Sequence, residues 1–201
     1  MKDLFILVAD KNAEFALKGA LARPEALGIR SVEFEIRTHP GRDGGTRKTG
    51  PELLALQRRQ YHHGLLMLDF EGSGTDLEDA VALENQMDER LKNHWNNNAK
   101  AIVIEPELDV WIWGSDNAVE ASIEWPVGKG VREWLREQGF EFDANEKPTR
   151  PKEAFEAALR VPDLPRSSAL YQHIASRISL PRCKDEAFIR LRNQLLGWFP
   201  K

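Results

Sequence analysis

Two short acidic motifs, Asp69-x-Glu71 and Glu105-x-Glu107, each follow directly on an apolar run, Leu65-Leu66-Met67-Leu68 and Ala101-Ile102-Val103-Ile104, and a third acid, Asp10, follows the run Leu4 to Ala9. Carboxylates are hard oxygen donors, and several of them at one point suit Mg²⁺ or Mn²⁺. An ion so held can orient a phosphate, polarise it and activate water. The residues therefore suggest phosphoryl chemistry, with Asp69, Glu71 and Glu105 as metal ligands and Asp10 or Glu107 as the base. Positive charge for a phosphate would come from the stretch His39 to Gly50, where Arg42, Arg47 and Lys48 stand among glycines that free backbone N–H groups. Both sets have a plainer use. Acids that follow strands also cap helix N-termini, and a polar stretch such as 39–50 also serves as a surface loop.

Other chemistries find no support. Gly72-Ser73-Gly74 lacks the third glycine of a dinucleotide fingerprint, because Leu77 holds that place, and it reads as a tight turn. Neither a G-x-x-x-x-G-K-[ST] loop nor a G-x-S-x-G elbow occurs, which speaks against P-loop and α/β-hydrolase mechanisms. Asp76, Glu78, Asp79, Asp88 and Glu89 read as a solvated helix face, and His62 and His63 precede a strand, at the edge opposite the acids. The single Cys183 excludes an internal disulfide and reads as a small buried residue of a reducing cytoplasm.

The elements that must position the acids follow from hydrophobic period. Leu4 to Val8 is a strand, with Asn12 as N-cap of a helix carrying Phe15, Leu17, Ala20 and Leu21. Ser31 to Arg37 alternates as a half-exposed strand, and Thr38 to Gly50 reads as a long loop. Pro51 then opens a helix with Leu53, Leu54, Leu56 and Tyr61. After the strand Leu65–Leu68, Thr75 opens a long helix with Glu78 completing a capping box, and Ala101–Ile104 is the fourth strand. Strands separated by helices form βαβ units and a mainly parallel, four-stranded α/β sheet of Rossmann-like type. In such sheets the residues leaving the strands collect along one edge, where ligands bind. Helical patterns then fill the chain to its end, so residues 1–116 read as the α/β core and 117–201 as a helical extension packed on it within one structural domain.

Charge is uneven. Residues 69–124 hold fourteen acidic against three basic side chains, whereas residues 151–201 hold nine basic against five acidic. An acidic middle repels a phosphate backbone unless a cation intervenes. No apolar run approaches the roughly 20 residues of a membrane span, and the N-terminus carries no cleavage-site pattern, so the expectation is a cytoplasmic protein without a membrane anchor.

Leu-Val-Ala-Asp-Lys-Asn-Ala-Glu14, Leu-Asp69-Phe-Glu71-Gly and Ile-Glu105-Pro-Glu107-Leu-Asp109-Val-Trp111 together resemble the Toprim fold, and more closely a group of small bacterial Toprim-like proteins related to overcoming-lysogenization-defect nucleases. The resemblance spans residues 4–116, and the tail from Pro151 to Phe199 also looks like that group. It implies a Mg²⁺-dependent nuclease or phosphotransfer protein, acting on nucleic acid through the metal and working with protein partners in phage defence. In Toprim enzymes a Glu at the end of the first strand acts with an Asp-x-Asp after the third. Ala9 stands at the position of that Glu here, Asp10 is next to it, and Glu71 replaces the second Asp. The departure at Ala9 supports a rival reading, a catalytically degenerate subunit that serves as a protein-interaction module.

Overall fold

A computed structural model describes all 201 residues. Four strands, β1 (Lys2–Val8), β2 (Phe34–Thr38), β3 (Tyr61–Asp69) and β4 (Ala99–Ile104), form one all-parallel sheet in the order β2-β1-β3-β4. The chain starts at an inner strand, crosses to β2, and returns past β1 to β3 and β4. The direction of winding thus reverses between β1 and β3, the switch point beside which such sheets bind ligands.

Helices cover both faces. On one side lie α1 (Lys11–Leu21) and much of the C-terminal half, packed on Leu4, Ile6, Val8, Leu65, Met67, Ile102 and Ile104. On the other lie α3 (Arg42–Ala55) and α4 (Ala80–Trp95), packed on Phe5, Leu7, Ala9, Leu66, Leu68, Ala101 and Val103. The alternation of strand residues between these two layers is the period of two expected of a sheet buried on both sides. The short α2 (Pro24–Leu27) precedes β2.

After β4 come α5 (Asp109–Ile112), α6 (Asp116–Ser122), α7 (Val131–Glu137), α8 (Pro151–Arg160), α9 (Ser168–Ala175) and α10 (Glu186–Trp198). They share one continuous apolar layer with β1, β3, β4 and α1, through Val119, Phe155, Tyr171, Phe188 and Phe199 among others. Gly19 of α1 makes this possible on its side: a Cβ there would lie 2.6 Å from the Gln172 carbonyl of α9. No helix is long and apolar enough to cross a membrane.

Three local expectations need correcting. The N-cap of α1 is Asp10, not Asn12: Asp10 is extended, and its Oδ1 accepts the Ala13 N–H at 2.9 Å. The long helix begins at Ala80 with Asp79 as cap, not at Thr75, and the Thr75 hydroxyl is spent on the Leu77 N–H. Third, the stretch 39–50 is not a loop. It forms most of α3, which runs through Pro51.

The glycines that suggested a loop serve close packing. The His39 imidazole fills the space where a Cβ on Gly45 would stand, 2.7 Å away, and a Cβ on Gly50 would meet Leu66 of β3 at 2.8 Å. Pro51 has no N–H for the Arg47 carbonyl one turn earlier. Arg90 of α4 supplies the missing donors, with Nη1 to the Arg47 carbonyl at 2.5 Å and Nη2 to the Lys48 carbonyl at 2.7 Å. Tertiary contacts thus override a weak local propensity.

The outer edge of β4 is closed by side chains. Glu84 and Asp88 of α4 accept the Val103 and Ala101 N–H groups, and Arg190 of α10 donates to the Val103 carbonyl while pairing with Glu84. An edge so covered cannot template a further strand.

Candidate active site

The residues leaving β1, β3 and β4 meet in a cavity of about 700 Å³ at the C-terminal edge of the sheet. Asp10, Asp43, Asp69, Glu71, Glu107, Asp109 and Glu153 line it, with Lys11, Arg42, Lys152 and Arg166 as its cations. Register explains which acids arrive. Val8 pairs with Met67, so continuing two residues along each strand sets Asp10 level with Asp69, across the switch point. Both belong to the α1 side of the sheet.

Glu105 takes the opposite course. Asp69 pairs with Ile104, so Glu105 lies one residue beyond and faces the α4 side. Its Oε2 accepts the Ala80 N–H at 3.3 Å, at the positive end of α4, and it lines a separate groove with Lys147, Asp185 and Arg190. The ligand set Asp69, Glu71 and Glu105 is therefore not brought together. Arg47 and Lys48 are also absent from the cavity. Arg47 Nε donates to the Ser73 carbonyl at 2.8 Å, and Lys48 is exposed on α3. Glu14 is committed as well, buried between Lys11 and Lys18 at 2.6 Å from each. Of the cations expected to hold phosphate, Arg42 alone reaches the cavity.

Asp69 ends β3 at the cavity floor. Its Oδ1 accepts the Leu108 N–H at 3.0 Å, and its own N–H donates to Asp43 Oδ1 at 2.8 Å. Burial, joined by the charges of Asp43, Asp10, Glu107 and Asp109, pushes the Asp69 carboxyl well above the usual range. Burial raises Asp43 too, against the hydrogen bond from Asp69. Glu107 is pushed up to about 7, by burial first and then by Asp109, while Lys152 and Arg166 pull the other way. A carboxyl at that value exchanges its proton near neutral pH, as a general acid or base must. Asp10, Asp43, Asp69, Glu71 and Glu107 have no Lys or Arg partner within 4.0 Å, although four cationic side chains share their cavity.

Asp109 is different. It is almost fully buried, accepts two hydrogen bonds from Arg166 Nη2 at 2.9 and 2.8 Å, and a third from the Tyr171 hydroxyl at 2.7 Å. Arg166 Nε also donates to the Tyr171 oxygen at 2.6 Å. This knot ties the segment after β4 to the start of α9, so the C-terminal half forms one wall of the cavity.

His39 also lines the cavity without facing it as a base. Its Nδ1 accepts the Gly41 N–H and its Nε2 meets the Thr49 hydroxyl at 2.9 Å, which requires the neutral Nε2–H tautomer. Burial lowers its pKa and keeps it so.

Asp43, Lys152 and Arg166 were not among the residues that spacing singled out. Asp43 sits in a segment without visible period, and the two cations come from helices far along the chain. Only the basic surplus of residues 151–201 pointed to them. No group of three or more His, Cys, Asp or Glu side chains is arranged to hold a metal ion by itself. No protein-family model, curated protein or solved structure matches the chain.

Proposed function

We propose that the cavity is a site of cation-assisted phosphoryl transfer or phosphoester hydrolysis, Toprim-like in its use of acids at the ends of the first and third strands. The observation that carries this reading is the set of five carboxylates without cationic partners, from Asp10 to Glu107, gathered at the switch point. Mg²⁺ takes few protein ligands, commonly one or two carboxylates, and completes its shell with waters and substrate phosphate. Asp69 and Glu71, with Asp10 across from them, suit an ion that arrives with its phosphate better than a caged resident metal. The ion would neutralise the carboxylates and polarise the phosphoryl group.

Register also bears on the residue missing from the Toprim pattern. A Glu at position 9 would leave β1 on the α3 side, whereas Asp10 leaves it on the side of Asp69. Asp10 therefore serves where the family uses the residue before it. Glu107 is the proton-transfer group. In hydrolysis, water oxygen bonds to phosphorus as the ester P–O bond breaks. Glu107 takes a proton from that water and returns one to the leaving oxygen, giving phosphate and alcohol.

The test is phosphoester cleavage with and without Mg²⁺, on nicked-circle formation from plasmid and on p-nitrophenyl phosphate, by wild type and Asp69→Asn. Mg²⁺-dependent turnover that Asp69→Asn abolishes is expected. Equal turnover by both proteins, or none on any phosphoester, would overturn the reading and favour a catalytically degenerate interaction module.

A further inference from the structure

The C-terminal half contributes Lys152, at the second position of α8, and Arg166, just before α9, to a cavity whose acids come from the first 109 residues except for the exposed Glu153 beside Lys152. Their settings are complementary. Arg166 is held rigidly, because Nη2 and Nε are bound to Asp109 and Tyr171, while Nη1 has only Glu156 near it, at 3.8 Å. Lys152 is half-buried and has no carboxylate within 4.0 Å. Both line the cavity with Glu107, and Arg166 is fixed to Asp109, two residues along the chain from it.

The rest of the lining narrows the ligand. Ala9 and Leu108 are its only hydrophobic residues, and no Phe, Tyr or Trp is present. Sites for nucleic-acid strands offer aromatic platforms on which bases stack, each contact worth about 1–3 kcal/mol. This cavity offers none, while its size matches that of a small-molecule site.

We propose that Lys152 and Arg166 form the anion subsite of the cavity, and that its ligand is a small phosphate monoester whose remainder is polar and non-aromatic. This rests on the phosphoryl-transfer reading for its chemistry, but the binding itself can be measured apart from turnover. A monoester dianion matches a paired ammonium and guanidinium better than a diester monoanion does. A cation held by the first-strand and third-strand acids would neutralise the charge that Lys152 and Arg166 leave on the phosphate.

Calorimetric titration separates the two ideas. MgCl₂ alone, titrated into wild type and Asp69→Asn, reports the cation. Inorganic phosphate, titrated with saturating Mg²⁺ and again in chelator, reports the subsite in wild type, Lys152→Ala and Lys152→Arg. Lys152→Ala should weaken phosphate about tenfold, the effect of one charge-assisted hydrogen bond, with Mg²⁺ affinity unchanged, and Lys152→Arg should restore most of it. Glycerol 3-phosphate should compete better than oligothymidylate. If Lys152→Ala binds phosphate as wild type does, or if phosphate fails to bind under both conditions, the subsite is wrong. Stronger competition by the oligonucleotide would overturn the ligand class. Phosphate binding that depends on Lys152 without any Mg²⁺ binding would sink the cation and leave the subsite standing.

Discussion

Glu107→Gln should stabilise the protein, and do so only where Glu107 would be ionised. The ordinary glutamate pKa of 4.5 rises to about 7 in the fold. Below the lower value both folded and unfolded chains carry the neutral acid, and the residue contributes nothing to pH dependence. Between the two values the unfolded chain releases its proton while the folded chain keeps it, so stability falls as pH rises. Above about 7 both states are ionised and the full penalty persists. At face value the shift corresponds to about 3 kcal/mol, and partial exposure to solvent screens it to about 1–2 kcal/mol.

Glutamine keeps the shape and removes the charge. At about pH 8.5 the variant should therefore melt about 2–8 °C above wild type, given about 2–4 °C per kcal/mol for a chain of this length. The difference should shrink to about a quarter near pH 5, which is only about half a unit above the unfolded pKa, so that little of the interval between the two values has been crossed. Thermal denaturation of both proteins across that range is the assay. A constant difference at every pH would mean that the substitution acts through packing. A wild type more stable than the variant at high pH would refute the electrostatic account outright. Saturating Mg²⁺ adds a second arm, because an ion among the carboxylates offsets the same repulsion and should narrow the gap.

Other expectations concern the elements around the site. Asp109→Asn should cost about 3–5 kcal/mol in chemical denaturation, since it leaves the Arg166 guanidinium half-buried without its counter-charge. Gly45→Ala should cost about 1–3 kcal/mol by forcing a Cβ against His39, whereas Gly128→Ala, with nothing within 4 Å, should stay within about 0.5 kcal/mol of wild type. Arg90→Ala should destabilise by about 1–3 kcal/mol, and by less in a Pro51→Ala background, where residue 51 regains the N–H that the Arg47 carbonyl lacks. Additive effects in that double-mutant cycle would contradict the role given to Arg90.

The sheet could be read directly from the chain because three strands carry apolar runs, the other, β2, alternates apolar and charged residues, and the connections are long enough to be helices. The parallel arrangement follows from those connections, and all four strands are present, although β3 starts at Tyr61, which spacing assigns to the preceding helix, and so includes His62 and His63. Reading failed where the physical cause was distant in sequence. The pattern of residues 39–50 does not announce a helix, because the groups its glycines and carbonyls meet include Leu66 of β3 and Arg90 of α4, far along the chain. A segment that is a poor helix former alone becomes one when its small residues allow close contact.

Strand-end acids were visible as a class, but composition could not divide them between the two faces. That division depends on parity within the register: Asp69 opposite Ile104 sends Glu105 to α4, and Val8 opposite Met67 brings Asp10 level with Asp69. One residue of slip would exchange the roles of Glu105 and its neighbours, since a strand's side chains alternate strictly. The same alternation separates the two uses of acids at strand ends. Glu105, on the α4 side, spends its carboxylate on a helix terminus. Asp69, on the α1 side, shares a cavity with other acids and is shifted upward by burial and then by their charges. The Lys152 and Arg166 wall then follows from which face the C-terminal helices cover. They pack on the α1 side, so Lys152 and Arg166 meet the acids whose parity points there, while Arg190 of α10 reaches round the edge of β4 to Glu84.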